Sequence, residues 1–119
     1  MTETKRIELR EFDEVKVISF KEKNLFDERT VKDVSDQIAA LLSNDGTPIK
    51  LVLDFSDVAL ISSSLLSKLI LLQKRIDATH GKLRLCELSS VIQSVFRTSN
   101  LDRLFKIDRD RRASIEAFS

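Results

Sequence analysis

Three consecutive serines, Ser62, Ser63 and Ser64, are the residues of this chain best placed to do chemistry. They lie in LVLDFSDVALISSSLLSKLILL, residues 51–72, between a β-branched apolar run and an amphipathic stretch. That order reads as a buried strand, a short connection, and a helix that starts at the serines. A helix start presents unpaired backbone N–H groups and a partial positive charge. It suits a hydroxyl that gains and loses a phosphate, which would make the chain a switch rather than a catalyst. The structural alternative is N-capping, in which serine is worth about 0.5–2 kcal/mol over alanine. One helix needs one cap, and three serines stand here.

Other reactive side chains offer less. Asp54 and Asp57 flank the end of the strand, as catalytic or metal-binding carboxylates often do. No second cluster of ligands accompanies them, so they read as turn formers. His80 is the one histidine and precedes Gly81, at the far end of the helix from Ser64. It reads as a surface turn residue rather than a general base, which leaves a serine hydrolase without its base. Cys86 is the one cysteine. It cannot form an internal disulfide, which fits a reducing compartment, and Leu83, Leu85 and Leu88 around it suggest a buried thiol. Arg109, Arg111 and Arg112 alternate with Asp108 and Asp110, the pattern of a solvated face rather than a nucleic-acid footprint. Two glycines in all exclude a phosphate cradle built on glycine. No catalytic residue, metal site or cofactor is expected.

The elements that must position the serines follow from periodicity. The 119 residues suit one domain, and 42% hydrophobic with 33% charged residues suits a folded chain. A net charge of +1 favours neither nucleic acid nor membrane as a partner. The charged N-terminus is no signal peptide, and Ser67, Lys68 and Gln73 interrupt the longest apolar run, so a cytoplasmic protein is expected. Ile7, Leu9 and Glu11, then Val15, Val17, Ile18 and Phe20, form a hairpin turned at Phe12, Asp13 and Glu14. Asp27 caps a helix from about Glu28 to Ser43, with Val31, Val34, Ile38 and Leu41 as its apolar stripe. Asn44, Asp45, Gly46, Thr47 and Pro48 stop it.

Residues 49–55 make a strand covered on both faces. A second helix runs from Ser64 to about Thr79, ended by His80 and by Gly81 as a left-handed cap. Residues 82–86 alternate as a strand. Ser89 caps a shorter helix containing Val91, Ile92, Val95 and Phe96, which Asn100 ends in the left-handed conformation. Leu101, Leu104, Phe105 and Ile107 return to the core as a last short strand. Asp110 to Phe118 suits an amphipathic helix using Ile115 and Phe118. The order β-β-α-β-α-β-α-β-(α) predicts an α/β fold with a mixed, mainly parallel sheet of about five strands and helices packed against it.

NLFD (residues 24–27), LVLDFSDVALISSSLLSKL (residues 51–69) and KLRLCELSSVIQSVFRTSNLDRLFKI (residues 82–107) together resemble the STAS domain of the bacterial anti-sigma factor antagonists. The resemblance implies a single STAS-like domain over residues 1–119. It also implies a binding protein, not an enzyme, in a partner-switching pathway. Its partners would be an anti-sigma factor serine kinase, which modifies it, and a phosphatase, which resets it. Nucleic acid binding and direct membrane insertion are not implied, and homo-oligomerisation stays open. In the family's pattern Ser62 stands at an aspartate, Ser63 at a first serine and Ser64 at the phosphorylated serine, with Ser63 the second choice. Leu65 replaces a glycine, adding bulk where a kinase must approach, and Ser67 replaces a second frequent glycine. Asp27 matches an acidic residue beside the same site.

The partner surface implied comprises Asn24, Asp27, Ser62, Ser63, Ser64, Ser67 and Lys68. By residue type alone Asn24 suits a turn, Asp27 a helix cap equally well, and Lys68 a solvated face. The alternative is a constitutive STAS interaction module of a transporter or stress-signalling complex, not phosphorylated.

Overall fold

The computed structural model describes residues 5–42 and 47–118. The expected turn residues Asn44, Asp45 and Gly46, with Ser43, lie outside them. β1 (Ile7–Phe12) and β2 (Val15–Phe20) form the expected antiparallel hairpin. Phe12 pairs with Val15 instead of joining the turn, which is left to Asp13, at φ 57°, and Glu14. Aspartate tolerates the left-handed region because its short polar side chain bonds locally.

Next come β3 (Asn24–Leu25), α1 (Glu28–Leu41) and β4 (Lys50–Asp54). β5 (Leu60–Ile61), α2 (Ser63–Ala78), β6 (Lys82–Cys86) and α3 (Ser90–Thr98) follow. A 3-10 turn (Leu101–Arg103), β7 (Lys106–Asp108) and α4 (Arg111–Glu116) complete the described chain. The sheet order is β1-β2-β4-β6-β7, parallel except for β1 against β2. This is the predicted mixed, mainly parallel five-stranded α/β architecture.

Both faces of the sheet are covered. Val31, Val34 and Ile38 of α1, Leu65, Leu69 and Ile76 of α2, and Ile92 and Phe96 of α3 pack on Ile18, Leu51, Leu53 and Leu85. On the opposite face Val15, Val17, Val52 and Cys86 meet Ile115 and Phe118 of the C-terminal segment. Coverage on both sides explains why Val17 and Ile18 are adjacent and apolar, and why β4 shows no alternation.

Three expectations need correction. β3 and β5 were not anticipated: two residues each are too short to show a period. Asn24 is therefore paired in a strand, opposite Leu60, rather than in a turn. Gly81 is not the left-handed cap of α2. His80 takes that conformation, at φ 62°. His80 N–H reaches Asp77 C=O at 3.0 Å and Gly81 N–H reaches Ile76 C=O at 2.9 Å, the paired bonds of a Schellman ending. Glycine is needed at 81 for close approach, since a Cβ there would lie 2.7 Å from the Ile49 carbonyl oxygen. Finally, Leu104 is not drawn into the core. It is 42% exposed, because the 3-10 turn rotates it outward while Phe105 is buried.

Candidate functional site

The start of α2 is built by local capping and held by a small auxiliary sheet. Ser62 is the N-cap: its backbone is extended, and its Oγ accepts from Leu65 N–H at 3.2 Å. The first helical backbone bond runs from Leu66 N–H to Ser62 C=O at 3.2 Å. Ser63 and Ser64 occupy the first two helical positions, where N–H groups have no partner within the helix. Both are exposed, whereas Ser62 is half-buried. The division answers why three serines stand here. One hydroxyl is engaged as a cap, and two are presented at the positive end of a 16-residue helix whose first turn carries no acidic residue.

β3 and β5 bring the loop of residues 24–27 to this point. They pair in parallel, Asn24 opposite Leu60 and Leu25 opposite Ile61, and Ser62 N–H donates to Leu25 C=O at 3.0 Å. Leu25 is buried and pins the loop from below, while Asn24 and Asp27 stay exposed. Asp27 caps α1, accepting from Thr30 N–H at 3.0 Å. Hydrogen bonding to Thr30, side chain first and backbone second, holds its carboxyl below the usual carboxylate range. Ser67 and Lys68 are exposed one turn into α2, and Ser67 Oγ donates back to Ser63 C=O at 3.2 Å. The structure thus gathers Asn24, Asp27 and the serines around one helix start.

Leu65 departs from the expectation that it would crowd the surface. It is 2% exposed and points into the core, so its bulk fills the α2–sheet interface and leaves the approach to the serines open. Two exposed apolar residues were not singled out from the sequence: Phe26, 61% exposed, and Leu60, 49% exposed. Phe26 lies between the buried Leu25 and the capping Asp27, and Leu60 lies opposite Asn24. The signal available was a large apolar residue in an otherwise polar loop.

Asp57 sits in a turn closed by Val58 N–H to Phe55 C=O at 3.0 Å, as expected. Asp54 does more than turn the chain. It is 2% exposed, accepts from Ser56 N–H at 2.8 Å, and pairs with Arg111 of α4 at 2.7 Å. Arg111 is therefore not part of a solvated face. Its guanidinium also donates to Ser19 Oγ at 3.3 Å. Asp108 likewise turns inward, bonded by both Nε and Nη2 of Arg84 and by Ser114 Oγ. Sequence reading missed these pairs because their members lie 57 and 24 residues apart. Cys86 is buried between the sheet and α4, and burial pushes its thiol up to about 12, so it stays protonated at neutral pH. His80 is exposed at the far end of α2.

The sequence model described as "Mlab, STAS domain" matches residues 24–107. The chain belongs to the STAS domain family. The match runs from the loop beside the serines to the last strand of the sheet, and so contains the whole candidate site. Solved structures agree on this STAS fold. An anti-sigma-factor antagonist domain protein from Planctomyces limnophilus superposes with a TM-score of 0.82 at 24% identity, covering 95% of this chain and 97% of that one. An anti-sigma factor antagonist from Mycobacterium paratuberculosis gives 0.80 at 21%, covering 93% and 91%. The Bacillus cell fate determinant SpoIIAA in its phosphorylated form gives 0.66 at 17%, covering 95% and 99%. No curated protein matches the chain. Among the described residues of this STAS domain, no helix is long and apolar enough to cross a membrane.

Proposed function

We propose that residues 1–119 form one STAS domain acting as a cytoplasmic anti-sigma factor antagonist. Unmodified, it binds an anti-sigma factor kinase through the start of α2 and the loop of residues 24–27. Phosphorylation of Ser64 breaks that contact, and a phosphatase restores it. The protein is the substrate of the kinase and not itself an enzyme.

The observation that carries this reading is the division of labour among the serines. Ser62 is held as the cap, while Ser64 is exposed at the second helical position. A phosphate there adds a charge of about −1.5 to −2. The helix end attracts that charge by about 0.3–1 kcal/mol. Lys68, exposed one turn on, lies at the i+4 spacing where a phosphate on Ser64 meets a cation. Ser63 has Ser67 at that spacing, which offers no charge. The domain therefore tolerates the phosphate, and a partner surface fitted to a neutral hydroxyl and to Phe26 and Leu60 does not. SpoIIAA, with the same fold, has been solved phosphorylated and unphosphorylated, which supports a modification that leaves the fold in place.

The second reading is constitutive docking. The exposed Phe26 and Leu60 favour it, since apolar anchors bind regardless of phosphate. Incubation with ATP in lysate of the source cells, followed by mass-spectrometric site mapping, separates the two. Phosphate on Ser64, absent from Ser64→Ala, is the expected result. Phosphate on Ser63 alone moves the acceptor. No phosphate, with a partner retained on the protein, turns the conclusion to constitutive docking.

A further inference from the structure

β1 is the edge strand on one side of the five-stranded sheet, and among the described residues no strand lies beyond it. Lys21 N–H donates to Arg6 C=O at 2.8 Å, which sets the phase of the ladder between β1 and β2. Hydrogen bonding alternates along an antiparallel pair. The backbone groups of Glu8, Arg10 and Phe12 therefore face β2, and those of Ile7, Leu9 and Glu11 face outward. The side chains alternate as well. Glu8 and Arg10 share one face, where Arg10 Nε donates to Glu8 Oε1 at 2.8 Å. Ile7 and Leu9 share the other, lining a groove with Ala40 and Leu41 of α1, rimmed by Lys5, Asp36 and Gln37. Leu9 is 37% exposed.

We propose that β1 pairs antiparallel with β1 of a second copy of this chain, about a two-fold axis at Leu9. The charges and the outward backbone together select the register. Outward-facing residues must meet outward-facing residues, which leaves three central registers. Centring on Glu8 sets two glutamates face to face. Centring on Arg10 does the same with two arginines. Centring on Leu9 sets Glu8 against Arg10 of the partner subunit on both sides of the axis, in the closely spaced pairs where side chains interact most. The same register bonds Ile7 to Glu11 of the partner subunit through the backbone. It also stacks Leu9, 37% exposed, on Leu9 of the partner subunit, beside the apolar part of each groove. β1 carries no proline and no bulge to block an added strand. Its charges permit one self-pairing and repel the neighbouring two.

Sedimentation equilibrium of the full chain over a wide concentration range tests this. The mass rises from 13.6 kDa toward twice that value. Glu8→Arg alone and Arg10→Glu alone each stay monomeric, because like charges then face each other. Mixed, these two variants associate one to one, since each again meets its opposite. Leu9→Pro removes an outward N–H without touching the bonds to β2, and so gives a monomer with an unchanged far-ultraviolet spectrum. A wild-type chain that is monomeric throughout overturns the proposal and makes the charges a guard on the edge. So does association of the single charge variants on their own, or failure of their mixture to associate.

Discussion

The start of α2 and the seam between α4 and the sheet are both polar, yet they are built in opposite ways. At α2 the serines are held by the cap bond to Leu65 N–H and by the backbone bond from Ser62 to Leu25, and two of the three hydroxyls are left facing solvent. At the seam, Arg111 reaches 57 residues back to Asp54, and Arg84 and Ser114 close on Asp108. A carboxylate buried as deeply as Asp54 is costly without its partner, whereas an exposed hydroxyl costs the fold almost nothing. The seam therefore depends on its charges staying paired, whereas the α2 start leaves two hydroxyls exposed at little cost to the fold.

Breaking the seam is the harshest way to test that contrast. Arg111→Ala leaves Asp54 buried and unpaired, and lowers unfolding free energy by about 3–5 kcal/mol in urea titrations. Asp54→Asn combined with Arg111→Met costs much less, because no charge is then left inside. The second seam pair gives a pH signature. Hydrogen bonding from Arg84 holds the Asp108 carboxyl below its ordinary value of 3.8. Its stabilisation is thus complete above that value and is lost as pH falls through the lower folded-state value. Asp108→Asn flattens this part of the acid profile and removes hydrogen bonds to a charged group worth about 1.5–3 kcal/mol.

The α2 start responds more mildly. Ser62→Ala removes the cap and costs about 1 kcal/mol, read by the same titration. Ser64→Ala and Ser64→Asp change stability by no more than about 0.5 kcal/mol, as expected of an exposed position. Ser64→Asp nevertheless abolishes partner binding if charge is the signal. An equal loss of stability for Ser62→Ala and Ser64→Ala would erase the distinction between cap and acceptor.

What was legible in the chain follows from the range of the interactions involved. Asp27 and Ser89 announce helix starts because a cap bonds three residues ahead. Val31, Val34 and Ile38 mark a buried stripe because a helix repeats every few residues. The three serines at a strand-to-helix junction were visible for the same reason, together with the loop at residues 24–27 as part of the STAS pattern. The β3–β5 pair was not, since two residues carry no period. Nor was the exposure of Phe26 and Leu60, because apolar type alone does not say which way a side chain points.

The sequence by itself determined the α/β order, the caps at Asp27 and Ser89, the STAS pattern and the placing of three serines where a helix begins. Only the tertiary structure decided which serine caps and which are presented, that Leu65 turns inward, and that His80 rather than Gly81 takes the left-handed turn. It also decided that Arg111 and Asp108 are half-buried and held in ion pairs. Those outcomes depend on groups far apart in the chain meeting in one place, and local spacing carries no record of such meetings.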